Sequence, residues 1–376
     1  MNSVIKEISR LRKNVPFDID LSNTNRYRVV VNEKSGRKTA YYFSSPIYNY
    51  KSRKLTDIKF TKADDETRLK GTSADIALSK NVSIETPENS CNIDFGSDFK
   101  YIGADKAGFE RGCVMPTLNG IVVKVNNSSD FFKITLKTEK PFSDVMCNGK
   151  YFALMSEKFR PFIAVSGIGL CDSDGFVVAP ITISSTTISP TEFELVVFCK
   201  QVTKGGYLMF EINAYEGKLV QDTTVESQNP NCNNAFGTVA FIGHSEEFGE
   251  QWLYSRIMYN RIEDVLTEDV EKLVLHFPKH SQSSKNVKTY LVRYRFCSFG
   301  STWNNKKEQS NFLGDSVESN GYISVDITGA LDAQAFAEAI WSKGLIIQPV
   351  KKNEECVVIS TGDSVYAPMI LEVKYK

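Results

Sequence analysis

The residues able to do chemistry in this sequence are scattered rather than grouped. Three histidines, His244, His276 and His280, all fall in the last third. His276 and His280 stand four positions apart, the spacing that puts two imidazoles on one helical face around zinc, but Pro278 lies between them at the end of a β-forming run. A proline there breaks the helix such a site needs, so all three read as surface or turn histidines and no metal site is expected. A serine nucleophile on a strand-to-helix elbow would show as GxSxG, and that pattern does not occur. Gly167-Ile-Gly169 follows an apolar strand, yet β-forming residues follow where a dinucleotide loop requires a helix. Asp172 and Asp174 before Gly175 open like a calcium loop but lack the closing glutamate, and a tight turn uses the same residues.

Paired carboxylates such as Glu246 and Glu247, or Glu354 and Glu355, are no surprise among 45 acidic residues. A glycosidase sets two carboxylates across about 5 to 10 Å of folded space, which linear spacing does not encode. No catalytic residue is therefore assigned and the chain is expected not to be an enzyme.

The aromatic residues are more suggestive. Flat rings beside amide side chains are the chemistry of sugar recognition, and Trp252 beside Gln251 and Trp303 beside Asn304 and Asn305 supply it. Trp252, Tyr254, Trp303 and Asn304 are the candidate ligand-binding residues. The competing reading is that these rings pack the fold. For Trp341, in an alanine-rich stretch, the core reading is favoured.

Such residues must be held by strands, because almost nothing else is written here. Helical spacing occurs only at Val4, Ile5, Ile8 and Leu11, and over Leu331 to Trp341. Elsewhere β-formers alternate with polar residues between turn clusters. Tyr27 to Val31 and Thr39 to Phe43 flank Asn32 to Arg37 as a hairpin would. Ile121 to Val125 with Phe131 to Lys137, and Glu192 to Lys200 with Tyr207 to Tyr215, repeat that grammar. Ile323, Val325 and Ile327 face one way while Tyr322, Ser324 and Asp326 face the other, and in the closing strand Met369, Leu371, Val373 and Tyr375 alternate with Ile370, Glu372 and Lys374. The expected class is all-β: tandem β-sandwich domains with a C-terminal jelly roll of galactose-binding-like type and a short N-terminal helix. The polar run Thr223 to Gly237 reads as a linker, and a softer break lies near residues 137–150. The expected domains are 1–140, 141–230 (which the pattern also allows to be continuous with the first) and 236–376.

The totals narrow the partners. Of 376 residues, 45 are Lys or Arg and 45 Asp or Glu, so the net charge is zero and no basic footprint for nucleic acid or anionic lipid exists. A hydrophobic share of 41% suits folded cores. No apolar run approaches the roughly 20 residues of a membrane helix, and the first residues lack a signal-peptide pattern, so neither membrane insertion nor standard secretion is expected from the chain itself. The eight cysteines show no CxxC spacing and read as mostly reduced and buried.

Residues 236–376 resemble the DNRLRE family, jelly-roll domains of bacterial wall-associated and Rhs-type proteins related to carbohydrate-binding modules. The likeness rests on Asn234-Ala-Phe-Gly237, Trp303-Asn-Asn305, Val325-Asp-Ile-Thr328, Gly344-Leu-Ile-Ile347 and the closing run from Ala367 to Tyr375. Upstream, Arg26 to Tyr48 and Leu55 to Ile58 are similar to the β-rich preamble of such proteins, with Leu55 where relatives often carry Trp. The resemblance implies a non-catalytic binding or scaffold module at a cell surface, with polysaccharide or cell-wall glycan as partner. It implies no cofactor beyond the structural calcium ion the fold class leaves open. The alternatives are a structural spacer without small ligand and, behind it, a carbohydrate-active enzyme.

Overall fold

In the computed structural model the described residues are 3–51, 54–57, 60–63, 66–70, 75–79, 81–101, 120–142, 144–157, 160–214, 220–257, 269–331, 343–364 and 367–376. They are almost entirely antiparallel strands, with one α-helix, Ser3–Leu11. The helix is the one expected at the N-terminus, and it buries Val4 and Ile8. The second expected helix, Leu331 to Trp341, lies outside the described residues apart from Leu331. No described helix is long and apolar enough to cross a membrane.

The architecture is all-β, built as two sandwiches, but the chain is divided differently from the expected 1–140, 141–230 and 236–376. One unit joins Met1–Tyr48 to Lys218–Lys376, and the other is made from Asn49–Arg111 and Met115–Gly217. The N-terminal strands leave their sequence neighbours because their partner lies at the far end of the chain. Lys38–Phe43 pairs antiparallel with the closing strand Ile370–Tyr375, with Ala40 opposite Val373 and Tyr42 opposite Leu371. All four side chains enter one core.

In this first unit the front sheet runs Asp18–Ile19, Arg28–Asn32, Lys38–Phe43, Ile370–Tyr375, Val270–Pro278 and Tyr322–Asp326. The back sheet holds Val287–Val292, Leu345–Pro349, Gly249–Ile257 and Val239–Ser245, with Val220–Glu226 beside Gly249–Ile257. The long strand Gln309–Ser319 belongs to both: its first part pairs with Val287–Val292 and its last residues with Tyr322–Asp326. Between the sheets Ile323, Val325 and Ile327 meet Leu253, Leu345 and Ile347, as the sequence alternation requires. Ser324 and the even-numbered residues of the closing strand are thereby turned to the face away from that core.

The second unit is a sandwich of its own. Thr182–Ser189, Glu192–Phe198, Phe131–Thr138, Ser90–Asp94 and Asn81–Glu85 lie in one sheet, and Gly120–Val125, Tyr207–Ala214, Arg160–Cys171 and Tyr151–Glu157 in the other. Two expected hairpins are corrected here. Gly120–Val125 pairs with Tyr207–Ala214, whereas Phe131–Thr138 pairs with Glu192–Phe198. Each turn cluster therefore carries the chain across the sandwich rather than back along one sheet. The reason is burial: Ile121, Val123 and Val125 from one sheet share a core with Phe132, Ile134 and Leu136 from the other.

The hairpin across Asn32 to Arg37 does form, Arg28–Asn32 pairing with Lys38–Phe43 and Gly36 taking φ 83° in the turn. The acidic segment at Asp172 is also a turn: its carboxylate accepts the backbone N–H groups of Asp174 and Phe176, both at 2.9 Å. No disulfide joins the described cysteines. Cys91, Cys171 and Cys199 are buried as expected, while Cys147 and Cys297 are exposed.

Candidate functional site

The strand Gly249–Ile257 sends Leu253 into the sandwich core, so its neighbours Trp252 and Tyr254 emerge on the opposite face of the back sheet. There they meet a second, smaller apolar cluster of Val225, Val292, Phe296 and Ile346, with Tyr254 inside it and Trp252 and Trp303 packed at its rim. Register explains the assembly, because Val225 lies opposite Trp252 and Ile346 opposite Tyr254. The chain after Val292 folds over this face and delivers a one-turn 3-10 helix, Trp303–Asn305.

Two of the candidate residues thus come together. The Trp252 and Trp303 rings lie 5.2 Å apart between centroids, tilted by 57°, and both are half-buried. The Trp252 indole N–H donates to Glu250 Oε1 at 2.9 Å. Tyr254 is placed otherwise than expected. It is fully buried, its ring packs on Phe296 at 5.5 Å, and its hydroxyl donates to the Lys307 carbonyl at 2.6 Å. Burial pushes its phenol well above the usual range. Tyr254 therefore anchors the loop that carries Trp303 and does not present a surface for a ligand. Asn304 is exposed, and its side-chain amide donates to Asn231 Oδ1 at 2.8 Å.

A residue absent from the sequence-based set completes the cluster. The Lys306 ammonium lies 4.0 Å from the centre of the Trp303 ring and 5.5 Å from that of Trp252, and it donates to the Trp303 carbonyl at 3.2 Å. Partial burial draws its pKa downward, against the opposing charge of Glu250. Its place three residues after Trp303, just past the one-turn helix, is the signal that could have found it.

The segment Thr223 to Gly237 is not the linker expected. Its start is the strand Val220–Glu226, and the rest is pinned beneath the Trp303 turn. Glu226, 1% exposed, accepts from Asn229 at 2.9 Å, Gln251 at 3.1 Å and Asn234 at 3.4 Å. Asn233 donates to the Ser298 and Ser301 carbonyls, and the Asn304 N–H to the Pro230 carbonyl. A polar, proline-containing run looks like a linker in sequence because its partners are backbone carbonyls and a buried carboxylate far along the chain.

The histidines also differ from expectation. His244 is exposed, but His276 and His280 are buried. Each meets a serine hydroxyl at 2.8 Å, His276 through Nδ1 to Ser324 and His280 through Nε2 to Ser360. No group of three metal-ligating side chains occurs among the described residues.

No family model matches the chain, and no curated protein matches it. Among solved structures, a GH31 alpha-xylosidase from Xanthomonas citri aligns over 96% of this chain and 38% of its own length, at 6% identity and a TM-score of 0.15. The chain spans well under half of that enzyme, and a superposition this poor carries no argument about fold or activity.

Proposed function

We propose that this protein is a non-catalytic binding module of bacterial surface type, and that it recognises polysaccharide at the Trp252 and Trp303 pair. The observation that carries this reading is the convergence of two half-buried indoles on one rim, beside the exposed amides of Asn304 and Asn305. Rings and amides together offer a sugar both an apolar face and directional hydrogen bonds. Tyr254, Phe296 and the Glu226 network hold that rim rigid from below. Stacking of a pyranose on Trp303 requires the Lys306 ammonium to move off the ring, and Glu250 is the nearby charge that would receive it.

The test is binding of the full chain to a panel of bacterial and plant polysaccharides by affinity electrophoresis, with folded Trp303→Ala and Trp252→Ala variants in parallel. Saturable binding lost in a variant supports the module and locates its platform. Absence of binding across the panel favours the second reading, a structural spacer. One observation speaks for that alternative: Lys306 already covers the Trp303 face, and the Trp252 N–H and Asn304 amide already have partners within the protein.

A further inference from the structure

On the outer face of the front sheet, three side chains from three adjacent strands stand in one row. Ser324 on Tyr322–Asp326 lies directly opposite His276 on Val270–Pro278. On the other side of His276, the closing strand sets Ile370 opposite it and Glu372 two residues further on along the same face, opposite Val274. The Ser324 hydroxyl is 2.8 Å from His276 Nδ1, and Glu372 Oε2 is 2.9 Å from His276 Nε2. His276 and Glu372 are each only 7% exposed, whereas Ser324 is partly exposed.

Burial is the largest influence on Glu372 and pushes its carboxyl up, but the hydrogen bond from His276 and the charge and hydrogen bond of Lys374 oppose it, and the carboxyl is held below the usual range. Lys374 Nζ meets the second carboxylate oxygen at 3.3 Å. An ionised carboxylate only accepts, so in the neutral ring Nε2 carries the hydrogen and Nδ1 is left as a bare acceptor. The Ser324 hydroxyl is then the donor, aimed at a base whose far side is braced by an anion. Tyr322 packs edge-on against the imidazole with ring centroids 6.0 Å apart, and its hydroxyl is bonded to Glu7 of the N-terminal helix, which fixes the ring. This is the relation of nucleophile, base and orienting carboxylate found in serine acyl-transfer sites.

We propose that Ser324 is an activated nucleophile that accepts one acyl group from activated esters, meaning thioesters or aryl esters. The Ser324 Oγ forms a bond to the acyl carbon as the carbon–sulfur or carbon–aryloxide bond breaks. The Oγ proton passes to His276 Nδ1 and from there to the departing thiolate or aryloxide, with no change of oxidation state. Glu372 stabilises the imidazolium formed in between. The strand carrying Ser324 is paired on both edges, with Val270–Pro278 and with Gln309–Ser319, so its backbone does not furnish the N–H pair that stabilises an oxyanion. That restricts the site to activated donors and to a single acylation per chain rather than turnover.

The experiment uses the full chain with a rhodamine-tagged fluorophosphonate and, separately, p-nitrophenyl acetate. The expected result is one adduct mapped to Ser324 by peptide mass spectrometry, and a p-nitrophenolate burst near one equivalent without steady release. Ser324→Ala, a small change at a partly exposed position, abolishes both. His276→Gln slows labelling by about 100-fold or more, the contribution of a positioned general base, and Glu372→Gln slows it by less. No adduct at Ser324 in the folded protein, an adduct confined to another residue, or an unchanged rate in folded His276→Gln each overturns the proposal. If His276→Gln does not fold, the mapped adduct and its loss in Ser324→Ala decide alone.

Discussion

The Lys306 ammonium lies 4.0 Å from the centre of the Trp303 ring, so one aromatic face in the candidate site is already in contact with a cation. A cation over an indole contributes about 0.5 to 2 kcal/mol, depending on how far it is desolvated. A ligand that stacks on Trp303 must displace that contact before it gains its own. Lys306→Ala should therefore tighten binding of a neutral polysaccharide by up to about tenfold, since about 1.4 kcal/mol is one decade. Affinity electrophoresis of the two proteins side by side measures this. Unchanged affinity would place the ligand away from the Trp303 face, and weakened affinity would make Lys306 itself a ligand contact.

The support beneath that rim can be tested without touching either tryptophan. Gly344 takes φ +92°, and a Cβ there would lie 2.6 Å from the Phe296 ring and 2.8 Å from the Ser255 carbonyl. Gly344→Ala combines left-handed strain with overlap against backbone, and each effect costs about 1 to 3 kcal/mol. The expected outcome is a loss of stability of about 2 to 4 kcal/mol in denaturant titration, accompanied by a shift in tryptophan emission as Phe296 pushes the Tyr254 anchor and the Trp303 turn. A variant as stable as the parent would mean that this loop yields easily and is not the rigid platform described.

Much of this was legible in the residues, and the rest was hidden for one recurring reason. The alternation of Ile323, Val325 and Ile327 against Tyr322, Ser324 and Asp326 states which side faces the core, and the structure follows it. Trp252, Trp303 and Asn304 stand out by type, and the structure brings the two indoles together at one rim. What periodicity does not carry is the identity of the partner strand. It says that Ile121 to Val125 and Phe131 to Lys137 are strands, but not that burial would send them to opposite sheets. It says that Tyr41 and Phe43 are apolar, but not that they would lie beside Glu372 and Ile370. Tyr254 misled for a related reason: a tyrosine reads as a binding residue until the loop that buries it is known. The row of Ser324, His276 and Glu372 is wholly a product of register and has no linear signature.

Because that register ties the two ends of the chain together, residues 236–376 should not fold alone. Cut out, they lose Lys38–Phe43 from the edge of Ile370–Tyr375 and Val220–Glu226 from the edge of Gly249–Ile257. They also lose the buried Val30, Ala40, Tyr42 and Val220 from the shared core. Each large apolar side chain removed forfeits about 1.5 to 3 kcal/mol, and several together are comparable to the marginal stability of a domain, about 5 to 15 kcal/mol. The fragment is expected to show no cooperative thermal transition by circular dichroism, whereas the full chain does. A sharp, reversible melt of the fragment would contradict the division of the chain described above.

His280 is expected to lower stability toward acid. Its imidazole is buried against Ser360, and burial holds its pKa at about 4, below the ordinary 6.5. Above pH 6.5 the ring is neutral in both folded and unfolded chains, and its environment contributes fully. As the pH falls from 6.5 toward 4, the unfolded chain takes up the proton while the folded one does not, so the unfolded state gains and stability drops. The difference of about 2.5 units corresponds to roughly 3 kcal/mol lost by pH 4. Glu372 and Asp326, whose carboxyls are held below their ordinary values, act in a separate window: their stabilisation is present above the usual carboxylate range and fades only at lower pH, as the folded forms take up protons. Denaturant titrations between pH 7.5 and 4.5 should therefore show a steep decline in the parent and a flatter one in His280→Gln, whose side chain can still bond to Ser360 but does not titrate. Parallel curves for the two proteins would show that another group controls the decline.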